Sequence, residues 1–110
     1  MERGSAAHPE SDELNPVIIR PAAAAEIDEA YLWYESQRTG LGEEFLSAVN
    51  KELERINEMP ELYAVLRRDT RRAMLSRFPY SLLYRLVGDD VIVVACFHGK
   101  RNPRRWHERT

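Results

Sequence analysis

The chain has 110 residues, 44% of them hydrophobic, with a formal net charge of −2 and a single cysteine, Cys96. That length suits one domain with one modest core. The lone cysteine excludes an internal disulfide and fits a reducing compartment, and no run approaches the roughly 18 apolar residues of a membrane helix. The small net charge hides a division. Residues 1–61 hold 5 Lys and Arg against 14 Asp and Glu, whereas residues 62–110 hold 11 against 4. A basic half of this kind suits an anionic partner such as a nucleic acid, or simply keeps the surface of a sheet soluble.

Residues 1–15, MERGSAAHPESDELN, are polar and aperiodic and read as a disordered N-terminal extension. No basic-then-apolar leader is visible, so a cytoplasmic protein is expected. The folded domain is expected over 16–110. Val17 to Arg20 is a short β-branched strand between Pro16 and Pro21. Pro21 suits the first turn of a helix, where its missing N–H costs nothing. Over 22–38, Ala23, Ile27, Ala30, Tyr31 and Tyr34 recur at spacings of three and four and define one apolar face. Two glycines in TGLG end that helix, and a second is predicted from Leu41 to Asn57, with Leu41, Phe45, Ala48, Val49, Leu53 and Ile56 as its stripe. So short a connection predicts an antiparallel helical hairpin.

Residues 60–70 read as a loop that turns basic, followed by strands over 71–78, 80–87 and 90–98. The glycine and aspartates of Gly88–Asp90 lie between β-branched runs and mark a tight hairpin. The last strand is nearly all apolar and is expected to be central. The expected architecture is α+β: a small antiparallel sheet, order β-α-α-β-β-β, with the helical hairpin packed on one face.

Several chemistries are unsupported. There is no glycine-rich phosphate loop and no GxSxG elbow. Cys96, His98 and His107 match no standard zinc spacing, so neither a metal nor a cofactor is expected. The remaining candidates are arginines and one histidine. Even spacing puts Arg71 and Arg77 on one face of their strand and Arg72 on the other. His98 ends the last strand, with Lys100 and Arg101 just beyond. A histidine moves protons near neutrality, and arginines hold phosphate and stabilise developing charge. Such a set supports metal-free RNA cleavage, with the 2′-OH of the RNA as nucleophile. The bland alternative is a strand-capping histidine among solubilising arginines.

The pieces EIDEAYLWYESQRTGLGEEF, RFPYSLLYRL and VIVVACFHGKRNPRRW, in this order and spacing, resemble the RelE/ParE superfamily of toxins from bacterial type II toxin–antitoxin systems, the plasmid-stabilisation group. The resemblance covers about 16–107. It implies a compact toxin neutralised by a cognate antitoxin. RelE-like members cleave mRNA on the ribosome, and ParE-like members inhibit DNA gyrase without nuclease activity. Under the RelE-like reading, Arg77 and Arg101 hold the phosphate and His98 transfers a proton. Arg71, Arg72, Lys100, Arg104 and Arg105 then contact the nucleic-acid backbone. The chain has only two lysines, no tyrosine after His98 and a slightly acidic balance, features that fit the ParE-like branch at least as well. His98 beside Arg101 offers chemistry that a gyrase binder does not require, so ribosome-associated mRNA cleavage is the expected activity, with ParE-like gyrase inhibition as the alternative. A degenerate, non-toxic antitoxin-binding module is the third alternative.

Overall fold

A computed structural model describes residues 17–99. Its first strand, β1 (Val17–Ile19), is followed by helix α1 (Pro21–Gln37) and helix α2 (Leu41–Glu58). Pro21 occupies the start of α1 as expected, and the alanine-rich first turns carry high helix propensity. Ala23, Glu26, Ile27, Ala30 and Tyr34 are its buried residues. On α2 the buried stripe is Gly42, Phe45, Val49, Glu52 and Ile56. No side chain of α2 caps its own N-terminus. A carboxylate from α1 does so instead: Glu35 accepts the backbone N–H groups of Gly40 and Gly42, both at 3.0 Å. These are donors that a helix start leaves without intrahelical partners. Gly42 is also where the two helices touch. A Cβ there would lie 2.8 Å from the ring and the carbonyl oxygen of Tyr31.

Four strands follow: β2 (Val65–Arg67), β3 (Thr70–Met74), β4 (Tyr80–Val87) and β5 (Asp90–His98). They form one five-stranded sheet with β1, in the order β1-β5-β4-β3-β2. The α+β class and the helical hairpin agree with expectation, and the sheet differs in two respects. It is mixed, because β1 runs parallel to β5, pairing Val17 with Val91 and Ile19 with Val93. A parallel pair needs a long crossover, and the helices and the other strands supply it. The sheet also gains β2, a three-residue edge strand within the segment expected to be a loop. Two-residue turns close the β2–β3 and β4–β5 hairpins. Arg68 (φ 54) and Gly88 (φ 60) adopt the left-handed conformation those turns need.

The strand expected over 71–78 stops at Met74. Leu75 N–H bonds the carbonyl of Tyr80 at 2.9 Å, so residues 76–79 form a turn. β5 carries one extra residue, Val94, where the β4 register moves from Leu83 opposite Ala95 to Tyr84 opposite Val93. Such a bulge reverses the alternation of faces. Val91 and Val93 face the helices before it, and Cys96 faces them after it. The opposite face holds its own buried cluster of Leu83, Val94, Ala95 and Phe97, with Ile92 packed against it. β5 is therefore buried on both faces.

The helix-side core is joined by aromatic rings. Phe78 meets Tyr34 edge-on at 4.9 Å and Phe45 at 5.4 Å, and Phe45 meets Tyr80 at 5.3 Å. Edge-to-face pairs at these distances favour one arrangement of the two layers over others. Among the described residues no helix is long and apolar enough to cross a membrane.

Candidate functional site

The arginines of β3 point to opposite faces, as alternation requires. Arg71 lies opposite Tyr84 on the helix side. Its Nη1 donates to the carbonyls of Tyr63 (2.7 Å) and Glu61 (3.1 Å). Tyr84 adds a donor of its own, from its hydroxyl to the Pro60 carbonyl at 2.6 Å. Together they fasten the segment after α2 to the sheet. Burial pushes the Tyr84 hydroxyl up to about 12. Arg72, on the outer face opposite Leu83, donates from Nε to Ser81 Oγ at 3.2 Å.

Arg77 does not share a face with Arg71. Even spacing applies only along a strand, and Arg77 lies past the end of β3, with a φ of 72. Its Nη2 donates to Glu44 Oε1 at 2.8 Å, and its guanidinium carbon sits 5.6 Å from the centre of the Phe78 ring. Arg38 reaches the other oxygen of Glu44 at 3.3 Å. The hydrogen bond from Arg77, then that from Arg38, holds the Glu44 carboxyl below its ordinary range. One carboxylate thus ties together the end of α1, the start of α2 and the turn before β4.

His98 stands at the end of β5, opposite Tyr80. The extra residue at Val94 turns it toward the helices, on the same face as Cys96. Its ring meets the Tyr80 ring edge-on at 5.2 Å. With Glu26, Glu29, Ala30 and Trp33 of α1 it lines a depression of about 580 Å³. Glu26 is buried there, and its Oε1 accepts the backbone N–H of Cys96 at 2.9 Å. Arg77 lines a different depression, of about 320 Å³, against Ser47, Lys51 and Arg55 of α2. Arg77 and His98 thus line two different depressions. Lys100, Arg101, Arg104 and Arg105 lie outside the described residues, as does the 1–15 extension.

Sequence reasoning missed the residues that surround His98. Glu26, Glu29 and Trp33 recur at helical spacing beside Ala30 of the apolar face, a stripe that carries no motif of its own. Their chemistry bears on ligand choice. Two carboxylates beside the histidine repel a phosphodiester and attract a cation. No group of three or more His, Cys, Asp or Glu among the described residues could hold a metal ion.

Residues 17–103 match the family model described as "ParE toxin of type II toxin-antitoxin system, parDE". No curated protein sequence matches the chain. Among solved structures, a chain of the chromosomal ParDE TA system from P. aeruginosa is similar in fold, with a TM-score of 0.58 at 20% identity. The match covers 76% of this chain and 94% of that one.

Proposed function

We propose, for a chain that belongs to the ParE toxin family of parDE type II toxin–antitoxin systems, that growth is arrested by binding a protein target, DNA gyrase, rather than by cutting RNA. A cognate antitoxin is the partner that holds it in check. The observation that carries this reading is the environment of His98. The histidine shares its depression with Glu26 and Glu29, while Arg77 lines another and is bridged to Glu44. Arg71 and Arg72 make hydrogen bonds within the fold, to the segment after α2 and to Ser81. Metal-free RNA cleavage needs a proton-transfer group and phosphate-holding cations around one scissile bond. Binding a protein surface needs neither.

The test is pulse labelling after induced expression, with DNA and protein synthesis followed separately. DNA synthesis is expected to fall first. His98→Ala is expected to remain toxic, and the purified protein to inhibit supercoiling by gyrase. If protein synthesis falls first and His98→Ala abolishes mRNA cleavage, the RNA reading replaces this one. Arg77 and Arg101 would then hold the phosphate and His98 would transfer the proton. Arg71, Arg72, Lys100, Arg104 and Arg105 would make the backbone contacts.

A further inference from the structure

The outward side of α1 is charged in one sense only. Asp28 and Glu29 are exposed on it, and α1 contains no lysine or arginine; the other two carboxylates of the helix, Glu26 and Glu35, are turned to the Cys96 amide and to the start of α2. Next to Asp28 and Glu29 the helix exposes Leu32 (64%) and Trp33 (57%). A large exposed apolar pair beside unbalanced charge marks a surface that meets another molecule. The depression beside Trp33 continues the pattern. Its wall is a run of rings in edge contact: Trp33 on Tyr34 at 5.1 Å, Tyr34 on Tyr80 at 6.1 Å, and Tyr80 on His98 at 5.2 Å. Ala30 leaves room between Glu26 and Glu29 on one side and the rings on the other.

We propose that this depression receives an arginine side chain from a partner protein, with the apolar neighbours of that arginine resting on Leu32 and Trp33. Charge complementarity selects the cation. A guanidinium gains from a carboxylate and from the face of an aromatic ring together, which an ammonium exploits less well. Glu26 is held against the Cys96 amide, and exposed Glu29 is the carboxylate that closes on the guest. The depression takes this guest whichever cellular process the toxin arrests.

The experiment is an NMR titration of the full-length, isotope-labelled protein with N-acetyl-arginine amide and, separately, with its uncharged isostere N-acetyl-citrulline amide. The arginine compound is expected to shift the Trp33 indole and the Cys96 and Glu29 amides along saturable curves, with a dissociation constant on the order of 1 mM. The citrulline compound is expected to leave them in place. Glu29→Gln is expected to weaken binding about three- to fivefold, and Trp33→Ala to do so with unchanged chemical shifts across the sheet. Equal shifts with both compounds, or shifts that do not saturate, overturn the proposal. So does binding that appears only when Lys100, Arg101, Arg104 and Arg105 are replaced by glutamine. In that case the basic run of this chain, and not a partner, is the occupant.

Discussion

The backbone N–H of Cys96 donates to Glu26 Oε1 at 2.9 Å, joining the middle of α1 to β5 just past its extra residue. A buried backbone donor needs an acceptor, and here it comes from a residue 8% exposed in the helix above. Glu26→Ala leaves the donor with no carboxylate and is expected to cost about 1–3 kcal/mol. Glu26→Gln keeps a carbonyl oxygen at the same reach and is expected to lose less. Scanning calorimetry of the two variants separates them, and equal melting temperatures would show that the contact carries no stability.

Gly42 is expected to resist the substitution that helix propensity favours. Alanine is the better helix former by about 1 kcal/mol, yet its Cβ would meet the Tyr31 ring and carbonyl at 2.8 Å. The ring can move, whereas the carbonyl belongs to α1. Gly42→Ala is expected to destabilise by about 1–3 kcal/mol. Urea denaturation measures it, and a more stable variant would mean that the two helices separate easily.

Acid sensitivity is expected from Glu44. Its folded-state carboxyl is held below the ordinary value of 4.5 by Arg77 and then Arg38. The unfolded chain therefore binds its proton first as pH falls. The stabilisation is present above about 4.5 and is lost as pH drops through the lower, folded value. Glu44→Gln is expected to be less stable than the parent at neutral pH and to converge with it in acid. A constant difference between the two stability profiles would rule out this linkage.

At high pH the relevant groups are Tyr63 and Tyr84. Both hydroxyls are pushed up to about 12, chiefly by burial, from an ordinary value of 10.0. A raised folded value means that the neutral form is preferred in the native state. The stabilisation is present below 10 and is lost as pH rises toward 12. Tyr84→Phe also removes the 2.6 Å bond to the Pro60 carbonyl. It is expected to cost about 1 kcal/mol at neutral pH and to soften the alkaline unfolding limb. Phenolate absorbance during a pH titration reports all five tyrosines, and the difference between the parent and Tyr84→Phe isolates Tyr84.

The helical hairpin was legible because its apolar residues recur at helical spacing and two glycines separate the runs. The β4–β5 hairpin was legible because Gly88 and its neighbours carry the chemistry of a tight turn. What escaped has physical reasons. β2 is three residues long with Val65 and Leu66 exposed, so no alternation distinguishes it from a loop. The partner of β1 is chosen across the whole chain by shape, which a local pattern does not encode. The face of His98 was hidden by VIVVACF, an apolar run in which one extra residue leaves no mark on the pattern. Arg77 belongs to a residue type that rarely adopts a positive φ, and nothing in its neighbours announced the turn. For the candidate site, this meant that the histidine was identified while the residues around it were not.

The parallel pairing of β1 with β5 also orders events in time. Residue 17 is matched with residue 91, so one edge of the sheet has nothing to rest on until the last strand exists. Contacts this distant in sequence form slowly, because a long stretch of chain must first be brought together. A growing chain on the ribosome can assemble the helical hairpin early, but it cannot complete its sheet. The toxin is therefore folded last at the edge where its sequence begins, and that edge is closed only by the strand made near its other end.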